Sequence, residues 1–210
     1  MKKILLIGGG GHCKSVLDTI LSLEEYDEVG IIDKEVKTEV LGIPVIGTDA
    51  MLPILRKEGW TDALITVGSV GDTSARRSLY RVLSDLGFAF PVIIDKSAVI
   101  ADDILIGEGT FVGKRAIVNA GARIGECCII NSGAVIEHDC SVGGFSHVSV
   151  GAVMCGHVSV GSDSHIGAGS TIRQQITIGS NVLIGAGSVV VKDIPDGTKA
   201  FGNPCRVVNG

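Results

Sequence analysis

A six-residue repeat runs without interruption from residue 94 to residue 190 and restricts the possible folds severely. Every sixth position in this stretch holds an aliphatic residue or methionine, seventeen times in succession. These guide positions are Ile94, Ile100, Ile106, Val112, Val118, Ile124, Ile130, Ile136, Val142, Val148, Met154, Val160, Ile166, Ile172, Ile178, Ile184 and Val190. A period of six matches neither the 3.6-residue turn of an α-helix nor the two-residue alternation of a strand. The repeat therefore predicts a solenoid.

A second small or aliphatic residue follows four places after most guide positions, as at Ala116, Cys128 and Ser146. Two inward positions per hexad and three hexads per turn predict a parallel β-helix of triangular eighteen-residue coils, stacked at about 4.8 Å. Glycine or asparagine often comes directly after the guide residue, as at Gly107 and Asn119. We expect these residues to form the corners, where a positive φ is required.

The first ninety residues show a different pattern, in which apolar strands alternate with amphipathic helices. Strands are predicted at 3–7, 29–32 and 63–67, and helices at 12–23, 49–58 and 72–86. This order predicts an α/β, Rossmann-like domain that binds its ligand beyond the carboxyl ends of a parallel sheet. We therefore expect the Rossmann-like domain at 1–90, the β-helix at 91–195, and a tail packed on the coil at 196–210.

Four glycines at residues 8–11 join the first strand to the first helix. A turn without Cβ atoms before a helix N-terminus suits a phosphate group, although a tight turn without a ligand is the alternative. Cys13 and Lys14 stand where a dinucleotide fingerprint needs glycine, which disfavours an NAD enzyme. Asp33 ends the second strand and is a candidate for binding a ribose or base, or simply a strand terminator.

Composition excludes several classes of partner. The net charge of −5 disfavours nucleic acid and acidic membrane surfaces, which require clustered Lys and Arg. No apolar stretch approaches the ~20 residues that span a bilayer. The six cysteines include no C-x-x-C pair, as in a protein kept reduced. We therefore expect a cytoplasmic protein.

Four of the five histidines lie in the repeat, at His138, His147, His157 and His165. His138 lies between inward positions, so its ring is expected to face outward. His147 and His165 are eighteen residues apart and so occupy one place on successive coils. Such a pair resembles half of the zinc site of γ-class carbonic anhydrases, but a third ligand would have to come from another subunit. We assign no metal ligand and keep a metal-dependent hydratase as an alternative.

Four segments together resemble one known group of enzymes. They are residues 8–12 (GGGGH), 135–140 (VIEHDC), 144–152 (GFSHVSVGA) and 201–206 (FGNPCR). In these segments the chain is similar to the sialic-acid O-acetyltransferase group of hexapeptide-repeat sugar acyltransferases, and most of all to the UDP-amino-sugar N-acetyltransferases of the bacillosamine pathway. The resemblance extends over the whole chain and implies that the β-helix is left-handed and that the domain at 1–90 binds a nucleotide sugar.

The resemblance also implies roles for particular residues. His138 would be the general base, and Asp139, where bacillosamine-type members have Glu, would raise its basicity. The acetyl-CoA contacts would be His147, Ala168 and Ala186. The sugar-nucleotide contacts would be Gly10, Gly11, His12, Asp33, Lys34 and Gly68.

The function expected from these observations is transfer of an acetyl group from acetyl-CoA to the amino group of a UDP-4-amino-sugar-like substrate. The resemblance implies a homotrimer with the substrates held between subunits. An O-acetyltransferase acting on sialic acid or a related sugar is the alternative within the class. A metal-dependent hydratase and a non-catalytic scaffold are alternatives outside it.

Overall fold

The computed structural model describes residues 1–35 and 38–208, and within these ranges it shows an α/β domain followed by a coil of parallel strands. The strands of the first domain are β1 (Lys3–Ile7), β2 (Glu28–Ile32), β3 (Glu39–Val40), β4 (Ile43–Gly47) and β5 (Asp62–Ile65). Its helices are α1 (Gly11–Leu23), α2 (Leu52–Lys57) and α3 (Ser74–Asp85), with a 3-10 turn at Asp49–Met51. Among the described residues, none of the helices is long and apolar enough to span a bilayer.

The first sheet has the order β3-β4-β2-β1-β5 and is parallel except at one edge. Strand β1 is apolar and buried from Ile4 to Ile7 because hydrophobic side chains pack against both of its faces. The α/β prediction is confirmed, but the sequence did not reveal strands β3 and β4. They form a hairpin through Leu41 and Gly42, whose φ values of 50° and 79° give the two left-handed positions of a tight turn.

The coil has three parallel sheets, here called the first, second and third faces. The first face contains β6 (Ile93–Ile94), β9 (Phe111–Val112), β12 (Ile129–Ile130), β15 (His147–Val148), β18 (His165–Ile166), β21 (Leu183–Ile184) and β23 (Lys199–Phe201). The second contains β7 (Val99–Ile100), β10 (Ile117–Val118), β13 (Val135–Ile136), β16 (Val153–Met154), β19 (Thr171–Ile172) and β22 (Val189–Val190). The third contains β8 (Leu105–Ile106), β11 (Arg123–Ile124), β14 (Ser141–Val142), β17 (Ser159–Val160) and β20 (Thr177–Ile178).

Strands on each face pair with strands eighteen residues away, as Ile117 pairs with Val135 and Val135 with Val153. All guide residues from Val112 to Val190 are buried in one continuous core, and the first three pack against it. Serines in the second inward position are also buried, and their hydroxyls donate to backbone carbonyls; Ser146 Oγ lies 2.8 Å from Gly161 O. The fold is the predicted left-handed parallel β-helix.

The prediction about the corners was wrong in one respect. Positive φ occurs at the third residue after the guide position, as at Arg115, Cys127 and Gly133, and not at the first. Glycine stands at the first place because successive coils touch there. A Cβ on Gly125 would lie 2.6 Å from the backbone nitrogen of Gly144, one coil further along. Close backbone approach, and not left-handed geometry, therefore selects these glycines.

The tail continues the coil. Strand β23 pairs with β21, and β24 (Arg206–Val208) pairs antiparallel with β23. Ala200 and Cys205 are buried against the end of the core. The last two residues of the predicted tail, 209 and 210, lie outside the described residues.

The first domain lies on the first face of the coil and on the corner between the third and first faces. Phe111 and Ile129 of the first face join the hydrophobic cluster between the coil and α1. Arg76 of α3 is buried and donates to the carbonyls of Phe145 and Cys127, which stand eighteen residues apart on this corner. These contacts determine the orientation of the first domain relative to the coil.

Candidate active site

A cleft of about 540 Å³ lies beyond the carboxyl ends of β1, β2 and β5. Among its lining residues are all six predicted sugar-nucleotide contacts, namely Gly10, Gly11, His12, Asp33, Lys34 and Gly68. Residues that sequence analysis did not select also line it, among them Asp49, Thr66 and Ser78. The structure therefore brings the glycine turn and three strand ends around one space.

The glycine turn is shaped by close contacts. Gly8 has a φ of 110°, and a Cβ there would lie 2.7 Å from the side chain of Val67. The Gly9 amide donates to Asp33 Oδ2 at 2.5 Å, and the Glu35 amide donates to Asp33 Oδ1 at 2.8 Å. Asp33 therefore holds the turn in addition to lining the cleft. Helix α1 begins directly afterwards and has no side-chain cap, so its first amide groups are directed at the cleft.

His12 connects the cleft to the coil. Its ring meets Phe111 edge to face, with 5.5 Å between centroids. Its Nε2 atom is buried and has no hydrogen-bond partner among the described residues. Burial, assisted by the charge of Arg76, lowers the pKa of His12 to about 4. The imidazole is therefore neutral at physiological pH.

His147 lies on the first face, where it contacts Ser69 of the first domain, and it is also neutral. Its Nε2 atom is 3.1 Å from the Asn131 amide nitrogen, and its Nδ1 atom is 3.2 Å from the Ser69 carbonyl. The carbonyl can only accept, so Nδ1 carries the proton and Nε2 accepts from Asn131. Burial lowers the pKa of His147 to about 3 despite the bond to Ser69.

His147 and His165 stack as predicted, with 4.8 Å between ring centroids. Both ring nitrogens of His147 are already hydrogen-bonded within the chain, and burial lowers the pKa of His165. A metal ion could bind His147 only by displacing Asn131 or Ser69. The geometry of the His147–His165 pair therefore disfavours the zinc site of the hydratase alternative.

His138 and Asp139 lie on the corner between the second and third faces, which is here called the dyad corner. His138 is exposed, as predicted, and its Nδ1 atom is 2.8 Å from Asp139 Oδ2. Aspartate therefore makes the contact directly, although its side chain is one methylene shorter than glutamate. This hydrogen bond lowers the pKa of Asp139. With its proton held at Nδ1, the imidazole presents a basic Nε2 atom to a substrate.

Residues from neighbouring coils complete the surroundings of His138. A shallow cavity of about 370 Å³ is lined by His138, Cys155, Gly156, His157, Gln174 and Gln175. The sequence pattern alone did not connect the two glutamines or His157 with His138. The spacing contained the missing signal, since 156 and 157 follow 138 and 139 by eighteen residues, and 174 and 175 follow by thirty-six.

Ala168 and Ala186, the other predicted acetyl-CoA contacts, are exposed and stack on the corner between the first and second faces. The second face separates this corner from the dyad corner. The nucleotide cleft lies over the first face, opposite the dyad corner. A single chain therefore does not bring the three predicted groups of residues together.

Comparison with known proteins identifies both parts of the chain. Residues 3–83 match the PglD N-terminal domain, and residues 103–138 and 157–192 match the bacterial transferase hexapeptide (six repeats). No curated protein sequence matches the chain.

Solved structures match over nearly the full length. The acetyltransferase domain of PglB from Neisseria gonorrhoeae FA1090 is 36% identical, with 99% of this chain and 100% of that chain covered and a TM-score of 0.92. PerB from Caulobacter crescentus, in complex with CoA and GDP-perosamine, is also 36% identical, with 100% and 98% covered and a TM-score of 0.94. WeeI from Acinetobacter baumannii AYE, at 19% identity, with 99% and 100% covered and a TM-score of 0.67, shares the fold.

The repeat coil, the α/β domain before it and the similarity over both define the class of protein. The chain belongs to the hexapeptide-repeat family of sugar acetyltransferases.

Proposed function

We propose that this enzyme transfers the acetyl group of acetyl-CoA to the amino group of a nucleotide-linked amino sugar, with a UDP-4-amino sugar as the expected substrate. The observation that carries the proposal is the exposed His138–Asp139 pair, with 2.8 Å between Nδ1 and Oδ2. The relatives support the substrate class, since PerB was solved with CoA and GDP-perosamine and the PglB domain with acetyl coenzyme A.

In the proposed reaction His138 Nε2 accepts a proton from the sugar amine as its nitrogen attacks the thioester carbonyl. The C–N bond forms, the C–S bond breaks, and the proton passes from His138 to the departing thiolate. Asp139 holds the Nδ1 proton and stabilises the imidazolium that forms. Because both substrates are held together, no covalent acetyl-enzyme is required.

The topology supports a site shared between subunits. The dyad, the exposed alanines and the nucleotide cleft lie on different sides of one prism, so a second copy must supply at least one of them to any single reaction. A contact between unlike corners of two copies is heterologous, and such contacts form a ring when the rotation from copy to copy closes. We propose the homotrimer expected from the resemblance.

His147 would contact acetyl-CoA together with Ala168 and Ala186, and the glycine-turn cleft would hold the nucleotide. A cytoplasmic location remains a prediction.

The direct test incubates the protein with acetyl-CoA and UDP- or GDP-linked 4-amino sugars and follows CoA release and product mass. We expect an amide product, which resists hydroxylamine. An ester cleaved by hydroxylamine would instead establish the O-acetyltransferase alternative.

The role of His138 is tested by the H138A variant. We expect turnover to fall by about 10²–10⁴-fold, as for loss of a general base. Calorimetric binding of the nucleotide sugar should remain nearly unchanged, because residues of the cleft supply the proposed nucleotide contacts and His138 meets only the reacting amine. Unchanged turnover would remove His138 from the mechanism.

A further inference from the structure

We propose that His138, Asp139 and His157 form a binding site for a late first-row transition-metal cation such as Zn²⁺, and that the bound cation reversibly switches off the base. The inhibitory effect depends on the function proposed above, whereas the binding itself does not. The site is distinct from the His147–His165 pair on the first face.

The coil brings the three ligands together through its eighteen-residue register. His157 lies one coil beyond Asp139, and its amide donates to the His138 carbonyl at 3.0 Å. Asp139 and His157 occupy equivalent corner places, with φ values of 58° and 59°. The backbone positions are therefore fixed before any cation arrives, and only side-chain rotation is needed.

The distances between ligand atoms suit a small tetrahedral cation. Asp139 Oδ2 is 2.8 Å from His138 Nδ1 and 3.4 Å from His157 Nε2. One ligand atom from each of the three residues lies within 4.8 Å of the others. Zn–N and Zn–O bonds of about 2.1 Å at tetrahedral angles place ligand atoms about 3.4 Å apart. A gap of 4.8 Å must close by about 1.4 Å, which rotations of the exposed side chains can provide.

The donor set selects the kind of cation. Two imidazoles and one carboxylate suit Zn²⁺, Co²⁺, Ni²⁺ and Cu²⁺, whereas Mg²⁺ and Ca²⁺ prefer oxygen ligands. All three side chains are more than half exposed, so water can reach a fourth position. Gly121 and Gly156 lie beside Asp139 and His138 and add no side chain that would block the cation.

Metal binding would stop proton transfer for a simple chemical reason. A neutral imidazole has one lone pair in the ring plane and one N–H group. When a cation takes the lone pair at His138 Nδ1, the proton must reside at Nε2. The atom that faces the substrate then donates and cannot accept. The same cation also removes Asp139 from His138.

Binding is tested by calorimetric titration of the full-length protein, without a polyhistidine tag, with Zn²⁺ and with Co²⁺ in a non-chelating buffer. We expect one cation per chain and the intense visible bands of tetrahedral Co²⁺. In H157Q the affinity for Zn²⁺ should fall by at least about tenfold. Loss of a residue that hydrogen-bonds a metal ligand already costs that much, and loss of the ligand itself costs no less. The introduced glutamine can still hydrogen-bond Asp139, so this variant separates metal binding from hydrogen bonding.

The matched control is D103N, which changes an exposed aspartate on the same corner two coils before Asp139. It should bind Zn²⁺ like the unmodified protein, and Mg²⁺ should bind to neither. Absence of saturable Zn²⁺ binding, or equal affinity in H157Q, would overturn the site. Each variant is first shown to melt like the parent.

Inhibition is measured as acetyl transfer with and without Zn²⁺, relative to the metal-free rate of each variant. We expect inhibition that is reversed by a chelator and weakened about tenfold in H157Q. The parent protein could prove to have no acetyl-transfer activity and still bind Zn²⁺, with that binding lost in H157Q. This result would reject the proposed function and support the metal site. Bound Zn²⁺ without inhibition would reject the switch.

Discussion

At the scale of single residues, Gly156 decides where the His138 imidazole can lie. A Cβ on Gly156 would be 2.5 Å from His138 Nε2 and 2.6 Å from Cε1. The ring therefore occupies the space that a side chain at 156 would fill. The need for glycine arises from the ring of the preceding coil, and Gly156 does not have a positive φ.

We expect the G156A variant to lower kcat by about tenfold to a hundredfold, because displacement of a base by about 1 Å costs that much. The KM for the nucleotide sugar should change little. The control is G113A, whose Cβ would also be crowded, at 3.1 Å from the Ser132 backbone, but on another corner. Steady-state kinetics of both variants test this, and equal losses would show that His138 placement is not the cause.

At the scale of the repeating element, two kinds of glycine serve the corners. Those at the first place after the guide residue allow the backbones of successive coils to touch. Those at the third place have positive φ, but Arg115, Phe145 and Asn181 also adopt positive φ at that place. The third place therefore tolerates side chains, whereas the first place does not where a Cβ would meet the backbone of the next coil, as at Gly125 and Gly143.

A matched pair of variants tests this difference. In G143A the new Cβ would lie 2.5 Å from the backbone nitrogen of Ser162. Such overpacking lowers the free energy of unfolding by about 1–3 kcal/mol or more. In G133A nothing lies within 4 Å, and only the left-handed backbone, with φ 67°, costs about 1 kcal/mol. Melting at one protein concentration should show G143A as the less stable variant. The reverse order would contradict the proposed role of coil contacts.

At the scale of the whole molecule, charged and aromatic groups hold the first domain on the coil. Arg77 forms a paired contact with Asp163, at 2.6 and 2.7 Å, on the same corner that receives Arg76. Burial raises the pKa of Asp163, but hydrogen bonds from Arg77 and Thr73 outweigh it and lower the pKa overall. The same junction buries His12 and His147 as neutral rings.

These two histidines predict a loss of stability in mild acid. Their folded pKa values are about 4 and about 3, against 6.5 in the unfolded chain. At a pH between the folded and the unfolded pKa, the unfolded state binds more protons than the folded state. The free energy of unfolding therefore decreases as pH falls through this range. The loss is about 2 kcal/mol per histidine at pH 5, before carboxylates with lowered pKa such as Asp163 titrate.

The measurement is the melting temperature between pH 7 and pH 5 at constant protein concentration. The H147N variant should show a shallower dependence on pH than the parent. The H157Q variant, which changes an exposed histidine, should retain the parent slope. If H147N and the parent have the same slope, burial of His147 does not cause the loss.

Much of the coil and part of the candidate site could be predicted from the sequence. Each guide residue is buried within its own coil, so the six-residue period specifies the inward positions directly. The outward ring of His138 and the ligand edge of the first sheet follow from the same local patterns. The hairpin at Leu41 and Gly42 was missed because its two strands have little apolar alternation.

The sequence by itself determined the triangular coil, the α/β domain before it and the exposed position of His138, because each depends on short-range periodicity and hydrophobic burial. Only the tertiary structure decided which face the first domain covers, since the faces have similar repeats and Arg76 selects among them through contacts with distant carbonyls. It also decided that His157 shares Asp139 with His138. That contact depends on where side chains lean between coils, which the spacing alone does not fix.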